Sequence, residues 1–112
     1  MTGKILVLTT AGSELEARTM ARGLIEQHLA ACVNLIPQVH SLYWWQGQVE
    51  SSTEYLLLIK TLKSQEDRVR AAIRELHSYQ LPECIVMEIH SGSEEYLKWM
   101  EEAVAPRSRA AE

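Results

Sequence analysis

The chain has 112 residues, 46% apolar and 23% charged, with a net charge of −4, which is the size and balance of one globular domain with a single core. The negative balance carries no block of like charges and so argues against nonspecific binding to nucleic acid or anionic membranes. No apolar run approaches the ~20 residues needed to cross a bilayer.

The first residues, MTGKILVLTTAG, lack the long apolar stretch of a secretion signal and look like a strand. A cytosolic location is expected. Cys32 and Cys84 then read as thiols buried in apolar runs, not as a disulfide. Lys4 to Thr10 is continuously apolar enough for a central strand covered on both faces. Ser13 and Glu16 form an S-x-x-E capping box, in which Glu16 is expected to reach back to the cap. The helix that follows carries Ala17, Met20, Ala21, Leu24, Ile25 and Leu29 on one stripe. His28, near its end, reads as a surface residue.

Residues 30–63 hold two long strand-like runs joined at Gln46-Gly47. Val33, Leu35, Val39, Tyr43 and Trp45 recur at spacings of two in the first run; residues 55–59, YLLLI, form the block of the second. Gln-Gly is not the favoured Asn-Gly pair, so a bulge or a longer loop is expected there. An unbroken arm of about 15 residues at ~3.4 Å each spans roughly 50 Å. A compact chain of this size is only ~34 Å across. The hairpin must therefore bend, with Pro37 marking the place, or project. A projecting tip with Leu42, Tyr43, Trp44 and Trp45 exposes an apolar patch of the kind that marks an interface.

Ser64 opens a second helix with Val69, Ala72, Ile73 and Leu76 inward. Residues 77–83 are a loop, since Pro82 disfavours helix before it. Residues 84–90, CIVMEIH, give a fourth strand. Gly92 and Ser93 start a third helix that Pro106 ends. Residues 1–104 read as the domain and 105–112 as a disordered tail. The order β-α-β-β-α-β plus a C-terminal helix predicts an α+β, ferredoxin-like sandwich with an extended hairpin. Strands apolar on both faces need a second cover beyond the crossover helices, so a homo-oligomer is expected.

The runs LAACVNLIPQVHSLYWWQGQVE, EYLLLIKT, HSYQLPECIVMEI and SGSEEYLKWM, in that order from about Lys4 to Met100, resemble the CutA divalent-cation-tolerance proteins. The resemblance implies a ferredoxin-like subunit, a tight homotrimer whose long hairpins pair across subunits, and a role in metal tolerance with copper binding. It implies no established enzymatic activity. The chain departs from the family pattern in having Ser78 where proline is common and Cys84 where an aliphatic residue is usual. It also lacks the cysteine that some members carry opposite Thr9-Thr10.

Four histidines and two cysteines occur without a C-x-x-C, H-x-H or H-E-x-x-H pattern, so the sequence holds no ready metal cage. The best local cluster for copper or another weakly bound divalent cation is His77, Glu83 and Cys84, set against a purely structural role for all three. Glu88 with His90, and His40 alone, are weaker candidates. The resemblance places Tyr43, Trp45, Glu54, Lys60 and Tyr79, with Glu83, near one another, which implies a cleft between subunits, as a ligand pocket or as ion pairs fixing hairpin register. No G-x-S-x-G or phosphate loop appears, and the central strands lack the aromatics of RNA-binding modules. The expected function is divalent-cation tolerance through weak metal binding in a homotrimer. The alternatives are a P-II-like trimer holding a small effector in its inter-subunit clefts, and a small enzyme built around Lys60, Tyr79 and Glu83.

Overall fold

Among the described residues, four strands and three helices follow one another in the order the apolar periodicity predicts. The computed structural model describes residues 2–105. The strands are β1 (Lys4–Ala11), β2 (Cys32–Trp45), β3 (Gln48–Leu62) and β4 (Ile85–Glu88). The helices are α1 (Glu14–Glu26), α2 (Glu66–Leu76) and α3 (Glu94–Val104), with a 3-10 turn at Lys63–Gln65 before α2. The sheet runs β2-β3-β1-β4 with every neighbour antiparallel, which is the ferredoxin-like α+β arrangement. The tail expected from residue 105 lies outside the described residues, apart from Ala105.

Alternation assigns the two sheet faces. Ile5, Val7 and Ala11 of β1 and Leu57 and Ile59 of β3 point into the layer made by α1 and α2. There they meet Ala17, Met20, Leu24, Val69 and Ile73 in the main core. The opposite face carries the other parity. Leu6 stands between Lys60 and Met87, and Leu8 between Leu58 and Ile85. Leu56 stands between Thr10 and Ile36. Helix α3 crosses one end of this face: Glu101 takes Lys4 Nζ at 2.7 Å, and Lys60 Nζ lies 5.6 Å from the Tyr96 ring centroid. Ile36, Ile85 and Met87 remain exposed beyond it.

The hairpin gives the subunit its 52 Å long axis. Its turn differs from expectation. Trp45 pairs directly with Gln48, so the connection is a two-residue turn with φ of 51° at Gln46 and 81° at Gly47. Positive φ at both central residues suits the twist of paired strands; glycine takes it freely, glutamine at a cost. The bulge sits at Pro37 instead. Between the pairs Ile36–Leu56 and Val39–Glu54, Pro37 and Gln38 face the single Tyr55, and Gln38 has a φ of 59°. The extra residue reverses the side-chain phase of β2. Val33 and Leu35 pair with Ile59 and Leu57 and face the helices, whereas Val39, Tyr43 and Trp45 pair with Glu54, Glu50 and Gln48 and face the other way.

Two smaller expectations also change. β4 ends at Glu88, and His90 lies beyond it. His28 is half-buried, not surface: Nδ1 lies 3.2 Å from the Ala103 carbonyl oxygen and ties the end of α1 to α3.

Candidate functional site

A cavity of about 730 Å³ lies between the bent hairpin and the loop after α2. Its floor is Thr10 and Glu54, its hairpin wall includes His40, Tyr43 and Trp45, and its loop wall includes Tyr79 and Glu83. Four of the five expected cleft residues, Tyr43, Trp45, Glu54 and Tyr79, therefore meet within one subunit, and Glu83 joins them. Lys60 does not line it; six residues along β3 from Glu54, it sits over Tyr96.

A chain of hydrogen bonds fixes the loop wall. The C-cap residue of α2 is His77, and its imidazole is buried against the end of β1. Nε2 contacts the Thr10 carbonyl oxygen, while Nδ1 accepts the Tyr79 amide at 3.0 Å. The two partners define the tautomer: Nε2 carries the proton, and Nδ1 presents its lone pair to the Tyr79 N–H. The imidazole and the Tyr79 ring pack with centroids 4.5 Å apart. Tyr79 then sends its hydroxyl to Glu54 Oε2 at 2.7 Å. Gly12 makes room for that hydroxyl, since a Cβ there would stand 3.1 Å from it.

Glu16 takes a role other than the one expected of a capping box. Ser13 does cap α1, accepting the Glu16 amide at 3.1 Å. The Glu16 carboxylate, however, accepts the Ser78 amide at 2.7 Å and the Ser78 hydroxyl at 3.1 Å, with the Gly12 amide at 3.4 Å. Burial opposes its charge, but the Ser78 donors, the nearby His77 ring and the Gly12 amide together hold its carboxyl below the usual range. The S-x-x-E pattern is a true helix-start signal, and it conceals that the same glutamate reaches a loop 62 residues away.

Within the cavity, burial and then the Glu54 charge push the Glu83 carboxyl above the usual carboxylate range. Burial and then the hydrogen bond to Glu54 push the Tyr79 phenol well above its ordinary value. Two carboxyl groups thus share one partly desolvated space.

The expected metal cluster is not assembled. Among the described residues no three His, Cys, Asp or Glu side chains come together in a way that could hold an ion. Both ring nitrogens of His77 are engaged by backbone. Cys84 packs against the core, and burial, with the Glu66 and Glu83 charges, holds its thiol up despite Arg70. A protonated thiol and an occupied imidazole do not fit a copper or other divalent ion as they stand. Glu88 is instead paired with Lys63 at 3.2 Å. His40 meets Thr53 Oγ1 at 3.4 Å.

The sheet order, the phase-reversing bulge and the wall built on His77 and Tyr79 define a ferredoxin-like α+β protein with an overlong hairpin. The profile of the CutA1 divalent ion tolerance protein matches residues 5–103, and the chain belongs to that family. A divalent-cation tolerance protein CutA of Thermus thermophilus is 43% identical over 97 residues, covering 87% of this chain and 94% of the relative. A CutA homolog of Danio rerio is 41% identical over 88% of this chain, which spans 66% of that longer relative. The solved structure of the periplasmic divalent cation tolerance protein CutA from Archaeoglobus fulgidus superposes with a TM-score of 0.89 at 36% identity. That match covers 91% of this chain and 99% of the other.

Proposed function

We propose that the chain serves divalent-cation tolerance as a homotrimer, without enzymatic activity, and holds copper or another divalent ion only weakly. The family match over residues 5–103 carries this reading. The exposed Ile36, Ile85 and Met87 on the open sheet face, and Leu42 and Trp44 on the hairpin, supply the apolar surface that copies of the chain would cover. For His77, Glu83 and Cys84 to take an ion, the Thr10 carbonyl and the Tyr79 amide must first release the imidazole. That rearrangement keeps affinity low. The location proposed is cytosolic; among the described residues no helix is long and apolar enough to cross a membrane.

Deleting the gene in its host and restoring it on a plasmid tests the role. The deletion strain is expected to stop growing at lower copper, zinc or cadmium concentrations than the restored strain; equal tolerance to all three would overturn it. Sedimentation at micromolar concentration is expected to give a species of three times the 12.7 kDa chain mass. Copper titration of His77→Ala decides the route: lost weak binding supports the loop-opening site, and unchanged binding removes it.

A further inference from the structure

We propose that in the homotrimer the partner subunit's Lys60 enters the cavity between the hairpin and the loop after α2, where its ammonium pairs with Glu54 beside Glu83. The inference rests on the homotrimer of the proposed function and adds a residue to the site: the acidic floor is incomplete until a second copy supplies the cation.

Glu54 states the need. It is only 6% exposed, and its one polar partner among the described residues is the neutral Tyr79 hydroxyl, 2.7 Å from Oε2. Glu83 lines the same space and adds negative potential. A carboxylate drawn this far out of water with one neutral hydrogen bond is under-compensated, and a cation relieves it. The hairpin wall of the cavity carries Leu42 and Trp44, apolar groups that a neighbouring copy would cover. The cation that completes the floor therefore arrives with that copy.

Lys60 answers the need. Among the described residues every arginine lies on α1 or α2, behind the sheet. Lys4 and Lys63 are held by Glu101 and Glu88, and Lys98 sits on α3 near Glu101. That leaves Lys60, which stands on the open sheet face at the same parity of β3 as Glu54. The Tyr96 ring lies 5.6 Å from Nζ, and among the described residues no carboxylate takes any of its three N–H donors.

Within one subunit the two charges cannot meet, since six residues along a strand set them roughly 20 Å apart. A cyclic contact joins different parts of two copies. The acidic end of one open face can then meet the basic end of the next, and the pair recurs at every interface. Glu54 already holds Tyr79, whose amide is taken by His77. The partner's Lys60 thereby ties assembly to the loop that carries His77 and Glu83.

Sedimentation of the full chain in graded urea tests the pair. Wild type is expected to be a trimer without urea. Glu54→Lys and Lys60→Glu are each expected to raise the concentration at which half the chains assemble by about thirtyfold. Mixed in equal amounts, the two should assemble at a concentration about tenfold below either one alone. Mixed trimers hold native and reversed pairs between chains, whereas a contact within one chain gains nothing from mixing. Lys60→Met should cost about tenfold and Lys60→Arg less than about threefold; these two decide the matter if circular dichroism shows that a charge reversal disturbs the fold. Assembly of a wild-type trimer unmoved by Lys60→Met, or folded reversal variants that fail to complement each other, would overturn the inference and leave the trimer standing. A wild-type monomer would remove the trimer and the pair with it.

Discussion

Glu16 and Ser78 are joined through the Ser78 amide and hydroxyl at 2.7 and 3.1 Å, so the first turn of α1 holds the loop that walls the cavity. The ionised glutamate strengthens the bond, and its carboxyl is held below the ordinary value of 4.5. A carboxyl depressed in the folded state contributes stability that is fully present above its unfolded value and is lost as pH falls through the folded one. Glu16→Gln keeps an acceptor and removes the charge. We expect it to cost about 1–2 kcal/mol at pH 7, the worth of a charge-assisted hydrogen bond. The difference from wild type should shrink below pH 4.5, where wild type also loses the charge. Urea unfolding at fixed protein concentration across pH 3 to 7 measures both values; a gap independent of pH would show that the charge is not the cause.

Tyr79 reports on the same wall from the other side. Burial first, and then Glu54, keep its phenol well above the ordinary 10.0. Gly12→Ala would place a Cβ 3.1 Å from the Tyr79 hydroxyl, tighter than ordinary contact. The loop residue can yield, so the cost in stability should stay under about 1 kcal/mol. The displaced hydroxyl loses Glu54 and gains water, and its ionisation should fall toward the ordinary value. Difference absorbance at alkaline pH, with Tyr79→Phe as the blank, reads the change. An unmoved titration would mean that Glu54 contributes nothing to it.

Most of the scaffold was legible because apolar periodicity and burial follow the same rule. β1 and the core half of β3 are continuous apolar runs, and the stripe Ala17, Met20, Leu24 buries as its spacing requires. Pro37 marked the bend because a missing N–H is a local fact. What eluded the sequence was non-local. Counting alternate positions puts Leu35 and Tyr43 on one face only if no residue is inserted between them; here they face opposite ways because Gln38 is extra. The Glu16–Ser78 bond joins segments that adjacency cannot relate. Lys60 shares a strand with Glu54, yet α3 captures it through Tyr96, and no pattern within β3 foretells that. His77 stood out as a candidate ligand, but its role as a buried strut depends on the Thr10 carbonyl, 67 residues away.

Two glutamines in the hairpin sit at positive φ, Gln38 at 59° and Gln46 at 51°. Residues with a Cβ are strained in that region, whereas Asn tolerates it and Gly is free of the clash. Gln46→Asn creates the favoured Asn-Gly turn and should stabilise by about 0.5–1 kcal/mol. Gln38→Gly should gain less, since glycine also loses more chain entropy on folding. Gly47→Ala, at a φ of 81° with open space around it, should cost about 1 kcal/mol from backbone strain alone. Thermal unfolding of the three variants at one concentration ranks them; a destabilised Gln46→Asn would contradict the two-residue turn.

The open sheet face gives the sharpest test of assembly. Ile85 pairs with Leu8 and Met87 with Leu6, in the rows that continue through Leu58 and Lys60. The row through Ile85, Leu8 and Leu58 is apolar, and Leu6 stands beside Met87 in the row that reaches Lys60, yet Ile85 remains 51% exposed and Met87 44% exposed in the single subunit. Burying each such side chain against a neighbour contributes about 1.5–3 kcal/mol, and symmetry repeats the gain at every interface. Ile85→Lys places a charge in the middle of that surface while touching nothing in the α1–α2 core. The subunit should fold, with far-ultraviolet circular dichroism like wild type, and sediment as a monomer at concentrations where the proposed trimer of wild type is expected. Ile85→Val should keep the trimer and lower its thermal midpoint only slightly. A trimer that survives Ile85→Lys would move the interface off this face and onto the hairpins, where Leu42, Trp44 and Val49 are the most exposed of the large apolar groups.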